Sequence, residues 1–519
     1  MRRYVDGSHF EAPLSFCRSC PSHHNLCYLI LTSCLLSVGW YPLVQEWKKY
    51  LTYDVEVDPD QDDKSKELLL GSFKRPHMRA FHCSWWSFFI AFFIWFSIGP
   101  LLPYIKNDLG LSKREIWTSS IAGVGSTILC RFVLGPLCDI YGARVLFTVT
   151  LCIASIPTAC TGLIQDATGL IVLRLFIGIA GGTFVMCQYW TSRMFAKEVV
   201  GTANALVGGW GNLGAGVTQL VMTSILIPIF KAIYGGDMTL VWRTVCIIPA
   251  VVAFVTGIVV YRISDDAPKG NYSELKANDC FKGPKSGVKS FLKGSWNLNT
   301  WILFIQYACC FGVELTMNNA AAGYFREEFG QSTEAAAAIA SIFGWLNLFA
   351  RGLGGFLSDF SFYKWGMKGR IWAQTICLLC EGALVLIFAN TSTLSAAIAT
   401  LVFFSLFVQA AEGTSYGIVP YIDPINLGTV TGVVGAGGNV GAVCFGLGFR
   451  ELDYKTAFTI MGSSILGSCL LSAFIVIRGH AGMFCGRDQL TDKETGMIID
   501  RKDSRSRGSS SKGSSRRRE

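Results

Sequence analysis

Charge is what this sequence has least of. Only 16% of its 519 residues are Asp, Glu, Lys or Arg, against about 25% in a typical soluble domain. A water-facing surface wrapped around one core is therefore excluded. Also missing are a nucleophile–base constellation, a phosphate loop and any His, Cys or carboxylate cluster with metal-ligand spacing. The chain reads as no enzyme, with no catalytic residue, no cofactor and no metal. Its 19 cysteines are scattered, mostly within apolar segments, and read as small apolar filler rather than as disulfides or ligands. The net charge of +9 does not indicate nucleic acid. Much of the basic excess sits in the C-terminal tail and in the loops of one side, as the positive-inside rule expects.

Apolar residues fill the gap. They make up 51% of the chain, with 36 Phe and 55 Gly and a mean hydropathy of +0.41. Runs of about 20 apolar residues are candidate membrane spans. Twelve are visible: 84–104, 117–138, 145–165, 168–192, 201–230, 241–263, 298–325, 335–359, 370–390, 394–420, 428–450 and 455–477. The lysine-rich stretch 264–297 separates two sets of six. The fold expected is an all-α membrane protein with two pseudo-symmetric six-helix halves. Its divisions are an N-terminal segment 1–83 placed in the cytosol, a first half 84–263, a cytosolic linker 264–297, a second half 298–477 and a disordered basic tail 478–519. The apolar stretch Cys27–Trp40 is short for a span and lacks a convincing cleavage site. The tail can rest on anionic membrane lipid or simply be solvated.

Two motifs occur twice, at nearly the same offset. Arg131-Phe-Val-Leu-Gly135-Pro-Leu-Cys-Asp139 and Arg351-Gly-Leu-Gly-Gly355-Phe-Leu-Ser-Asp359 both read R-x3-G-x-L-x-D. Gly208-Gly-Trp-Gly-Asn212-Leu-Gly and Gly435-Ala-Gly-Gly-Asn439-Val-Gly follow in their respective halves. Eight residues separate each arginine from its aspartate. At a 1.5 Å rise per residue this sets both arginines about 12 Å inside one boundary of a roughly 30 Å apolar core. An intramembrane arginine is costly and marks a substrate path by default. Two at symmetric positions suit one small anion between them. The competing reading is a buried ion pair with Glu314, Glu381 or Glu412. The glycines Gly211 and Gly438 allow close backbone approach, while Asn212 and Asn439 can donate amide hydrogens to an oxyanion. Packing alone explains the glycines but not an asparagine at the same place in each run.

Gly135-Pro-Leu-Cys-Asp139-Ile-Tyr-Gly142-Ala-Arg144 resembles the loop motif of the major facilitator superfamily between its second and third helices, and Arg174-x3-Gly178 resembles that superfamily's fourth-helix motif. Asp139, Arg144 and Asp359 are then conformational residues that lock one gate state. With both glycine–asparagine runs, both arginines and Gly312-Val-Glu-Leu-Thr-Met-Asn318-Asn319, the chain from about Tyr53 to Phe474 resembles the nitrate/nitrite porters, close to the high-affinity transporters of algae, fungi and plants. The resemblance implies nitrate uptake, with nitrite as a second substrate, across the plasma membrane by alternating access with protons. Sodium is the alternative coupling ion, and an accessory membrane protein is a candidate partner. It also implies an aromatic cage, for which Tyr307, Phe311 and Phe184 fit, with Phe92, Phe93 and Phe96 unranked candidates on the first span. Glu314, about one turn from Phe311, is the candidate coupling carboxylate, with a structural ion pair as its other reading. Other readings are a carrier of a different small anion and a nitrate receptor that signals through its tail.

Overall fold

Apolar helices that pack closely through their glycines, with large apolar side chains both in the core and on the outside, define the architecture. The computed structural model describes residues 54–280, 283–284, 286–486, 489–491 and 498–500. These lie in one unit, Asp54–Glu519. The expectations for most of the segment before residue 54 and for most of the basic tail lie outside the described residues.

Eleven helices among the described residues are long and apolar enough to cross a membrane. In the first half these are α1 His77–Leu109, α2 Arg114–Tyr141, α3 Ala143–Leu163, α4 Ala167–Met194, α5 Val200–Ile233 and α6 Met238–Ile263. The second half has α7 Leu298–Phe329, then α8, then α9 Met367–Phe388, α10 Leu394–Tyr421, α11 Leu427–Glu451 and α12 Tyr454–Phe474. The eighth expected span, α8, is divided. It consists of Thr333–Trp345, a 3-10 turn Leu346–Leu348 and Ala350–Trp365, so it does not count as one continuous crossing helix. The break places Asn347 in the turn and Arg351 just after it. α7 is interrupted too, at Cys309 and Cys310 between helical pieces ending at Ala308 and starting at Phe311. Irregular backbone at membrane depth survives only where protein or a cavity satisfies it; Cys309 and Cys310 of the first break and Asn347 of the second are buried.

Leu129, Ile156, Val251 and Phe356 are exposed on the outside, an apolar surface that suits lipid. The segment 264–297 holds two short helices, Tyr272–Ala277 and Gly287–Ser295. Ahead of α1, strands β1 Val57–Asp58 and β2 Lys64–Ser65 pair antiparallel. This hairpin docks beside the loop between α4 and α5, where Ser65 bridges Phe195 and Ala196 N–H donates to the Ser65 carbonyl at 2.8 Å.

Candidate functional site

Arg131 on α2 has no exposed surface. Its Nε and Nη2 donate to the Gly181 carbonyl at 3.1 and 3.0 Å, and its Nη1 donates to the Gly435 carbonyl at 2.5 Å. Phe184 and Phe311 flank it, their ring centroids 4.8 and 5.2 Å from Cζ. Carbonyl dipoles and ring faces stabilise a guanidinium, but they do not neutralise it. Among the described residues no carboxylate pairs with it.

Arg351 on α8 is equally buried but differently partnered. Its Nη1 forms an ion pair with Glu412 of α10, and its Nη2 donates to the Tyr307 hydroxyl at 2.9 Å. The Phe184 ring centroid lies 5.5 Å from its Cζ. One ring therefore stands within cation–π reach of both arginines, and they converge at the interface of the two halves. The competing sequence reading holds for Arg351, which does pair with a helix carboxylate.

Each glycine–asparagine helix accommodates the arginine of the opposite half. Gly435 on α11 supplies the carbonyl to Arg131. On α5, a Cβ at Gly208 would stand 2.7 Å from Arg351 Nε. The missing side chain at Gly208 makes room for the Arg351 guanidinium, and a Cβ at Gly435 would instead crowd Phe184 and the Tyr416 hydroxyl.

Phe184 and Tyr307 stack at 5.8 Å, Phe184 and Phe311 at 5.7 Å, and Tyr307 and Phe311 at 5.4 Å. The three expected cage residues are thus brought together despite the break in α7. Two further rings complete the cluster. Tyr416 of α10 lies edge-on to Phe184 at 5.0 Å and to Tyr307 at 5.1 Å. From α1 the ring against Phe184 is Phe88, at 5.5 Å. Phe92 packs on Phe88 at 4.5 Å, while Phe93 and Phe96 are half-buried. Phe88 was hidden in a run where phenylalanine recurs on several faces. Tyr416 had a usable signal: it follows Glu412 by four residues and so shares its helix face.

Asn212 and Asn439 are buried. Asn212 Nδ2 donates to Glu314, at 3.3 Å to Oε1 and 3.1 Å to Oε2. Asn347 Nδ2 donates to the same Oε1 at 2.8 Å. Asn439 Nδ2 crosses between the halves to the Val124 carbonyl at 3.3 Å. The Oδ1 atoms of Asn212, Asn347 and Asn439 have no hydrogen-bond partner. Asn347 had escaped notice, although it precedes Arg351 by four residues.

The repeated aspartates close one end symmetrically. Asp139 accepts from Gly428 N–H at 2.8 Å and Thr429 N–H at 3.1 Å, at the start of α11. Asp359 accepts from Gly201 N–H at 3.1 Å and Thr202 N–H at 2.6 Å, at the start of α5. Each carboxylate thereby meets the positive end of a helix in the opposite half. Arg370 adds an ion pair to Asp359 at 2.7 Å. Ser290 of the linker donates to Asp139 at 2.7 Å, whereas Arg144 pairs with Asp266 at 3.3 Å. The other end is open. A cavity of about 780 Å³ lies between the halves there, lined by Arg114, Trp117, Asn319, Arg326, Arg450 and Tyr454 among others. A smaller pocket that shares Trp117 and Asn319 with it is lined by Val124, Leu315, Thr316 and Ala442 among others.

The chain matches the Major Facilitator Superfamily over residues 84–446. It is 38% identical over 437 residues to "High affinity nitrate transporter 2.5" of Arabidopsis thaliana, covering 82% of this chain and 85% of that protein. The chain belongs to this superfamily, in the family of the high-affinity nitrate transporters. "Nitrate transporter 2.2" of Chlamydomonas reinhardtii is 35% identical over 84% of this chain and 86% of its own length. "Nitrate/nitrite transporter NrtP" of Nostoc punctiforme is 27% identical over 77% and 92%. Among solved structures, the human organic anion transporter MFSD10 aligns with a TM-score of 0.60 at 14% identity, covering 77% of this chain and all of that one. That likeness concerns the fold. This family member is a multi-pass membrane transporter and not an enzyme.

Proposed function

We propose that this transporter imports nitrate, and nitrite as a second substrate, across the plasma membrane by alternating access, holding the anion between Arg131 and Arg351. The observation that carries the reading is Arg131, a fully buried guanidinium with carbonyl and aromatic partners but no carboxylate. An uncompensated buried charge is expensive, and a monoanion offsets it. The flanking rings favour a flat anion whose oxygens can share in-plane N–H donors. Chloride has no directional acceptors and fits less well. The relatives' names point the same way.

The aspartate-capped end faces the cytosol in this reading, and the termini of the helical core lie on that side. The cavity then opens outward, and the Asn439–Val124 contact separates it from the arginines. Inward-driven uptake needs a coupling cation, because an anion entering alone against −100 mV opposes about 2.3 kcal/mol. Protons are proposed, with Glu314 beside the site as a carboxylate to receive them. Sodium is the alternative coupling ion, and an accessory membrane protein is the candidate partner.

Expression in a host without its own nitrate transporter tests the reading, with membrane current recorded on adding nitrate at acidic and alkaline external pH, with and without sodium. Nitrate uptake with an inward current that grows with acidity is expected. Uptake that requires internal nitrite would overturn the coupling. Transport of another small anion in preference to nitrate, or signalling without uptake that is lost with the tail, would overturn the substrate assignment.

A further inference from the structure

The two arginines are not equivalent, and the difference lies in a pair of touching carboxyl groups. Arg351 is held by Glu412, and neither side chain has exposed surface. Glu412 in turn lies within hydrogen-bond reach of Glu314, which Asn212 and Asn347 orient through three amide contacts. Two buried carboxyl groups in contact cannot both be ionised, and such a pair shares one proton. The dyad then carries one negative charge, which neutralises Arg351 and leaves Arg131 alone uncompensated.

A purely structural ion pair needs its remaining lone pairs and protons satisfied. This one does not have that. Arg351 Nε has no partner, and no donor reaches Glu412 Oε1. The carboxyl–carboxyl contact becomes a hydrogen bond only when one member carries a proton. Around Glu412 stand Glu314, Tyr307 and Cys310 from α7, Arg351 from α8 and Glu381 from α9. Only Arg351 among them is a cation. Glu314 directly precedes Leu315 and Thr316, which line the smaller pocket beside the open cavity.

We propose that Glu412 is a tethered competitor of the transported anion and a proton site of the cycle: ionised, it occupies Arg351, and on taking up a proton from the open side it releases Arg351 to the entering anion. This rests on the anion-import reading above and adds the group through which anion and proton are linked. In the empty site, Arg131, Arg351 and the singly protonated dyad sum to one positive charge. In the loaded site, one proton has been added to the dyad and one monoanion to the arginines, so the sum is unchanged. Loaded and empty carriers therefore cross the membrane field with the same charge at this site. Inside, the anion leaves, Glu412 gives up its proton and closes again on Arg351. Any further proton that makes transport electrogenic binds elsewhere.

The test uses the full chain in proteoliposomes, with nitrate binding measured against pH and proton and nitrate fluxes measured together. For the unaltered protein, apparent nitrate affinity should tighten on acidification, by up to about tenfold per pH unit where Glu412 titrates. Glu412→Gln should flatten that dependence and lower the proton-to-nitrate ratio by one. Glu412→Asp, which keeps the carboxyl group, should restore both. Glu314→Gln should keep the dependence, because the neighbour that holds the shared proton in the empty site is already neutral. An undiminished slope and ratio in a folded Glu412→Gln protein would overturn the proposal, as would a flat profile in the unaltered protein that still binds nitrate. An unaltered protein that binds no nitrate at any pH would instead overturn the substrate reading beneath it, and the proposal with it.

Discussion

The two halves carry the same skeleton of arginine, glycine and aspartate and put it to different electrostatic use. At the closed end the repeats behave alike, since Asp139 caps α11 and Asp359 caps α5. At the centre they diverge. The fourth helix offers Arg131 a carbonyl and the Phe184 ring, while the tenth offers Arg351 a carboxylate. Pseudo-symmetry sets where backbones cross, and single side chains from neighbouring helices then decide which charge is left for a substrate. With one free and one conditionally free, affinity can follow protonation.

The largest effect that would break this contrast is at the arginines. Arg131→Ala should weaken nitrate binding roughly 100-fold or more, as the loss of charge-assisted hydrogen bonds implies, with little loss of thermal stability, because the groups left behind are carbonyls and rings. Arg351→Ala should also abolish uptake but strands Glu412 as a buried carboxylate without its cation, a loss of about 3–5 kcal/mol. Adding Glu412→Gln should recover stability and not transport. Equal destabilisation by the two arginine variants, read by thermal unfolding in detergent, would mean the halves are electrostatically equivalent after all. Arg351→Lys should weaken binding greatly, since an ammonium cannot reproduce the planar fork, and near-normal affinity would count against recognition by a guanidinium.

The next effect concerns the glycines. A Cβ on Gly438 would enter the Phe311 ring that covers Arg131, and one on Gly211 would enter the Phe88 ring that backs Phe184. Overpacking of this kind costs about 1–3 kcal/mol. Gly438→Val and Gly211→Val should therefore reach the membrane yet lose transport. Gly438→Ala should be the more damaging of the two alanine variants, because its ring touches a guanidinium directly. Unchanged uptake in the valine variants would reduce both runs to tolerant packing surfaces.

Much of this was legible in the sequence. The repeat of R-x3-G-x-L-x-D pointed to two arginines that both meet the Phe184 ring, and the span pattern marked the helices around them. Tyr307, Phe311 and Phe184 do form one cluster. What could not be read was partner choice. The sequence offered Glu314, Glu381 and Glu412 as ion-pair candidates, and only packing shows that Glu412 reaches Arg351 while Glu381 has both oxygens without a partner. The division of α8 was also hidden, because the composition around Leu346–Phe349 stays largely apolar, apart from Asn347, while the helix does not continue. Asn212 reads as a ligand donor by chemistry, yet its amide hydrogens are committed to Glu314 in this state.

A smaller effect would sharpen the symmetric end of the comparison. Asp139→Asn and Asp359→Asn each keep the shape of a helix cap and lose its charge. Each should favour opening of the capped end by about 0.5–2 kcal/mol, a few-fold to thirtyfold change, read as faster labelling of cysteines introduced at that end. Asp359→Asn also removes the ion pair with Arg370 and should show the larger change. A difference in the opposite order would mean that Ser290 and the linker hold the gate more strongly than the ion pair does.

The smallest effect lies where the first half has something extra, the docked hairpin before α1. Lys64 Nζ donates to the Ser192 carbonyl at 2.8 Å. Burial, and then the neighbouring Arg193 and Lys197, pull its pKa down from 10.5 to about 7. Between those values the released hairpin binds a proton that the docked one does not, so docking strengthens as pH rises across that window and is weakest below it. Limited proteolysis of residues 54–75 should accordingly slow as pH is raised from 7 toward 10. Lys64→Met removes the titrating group and should leave the cleavage rate without this pH trend once the protease's own profile is divided out. A trend that persists in Lys64→Met would assign it to the ion pairs that also hold the segment, Arg75 with Asp265 and Lys269 with Asp62 and Asp63.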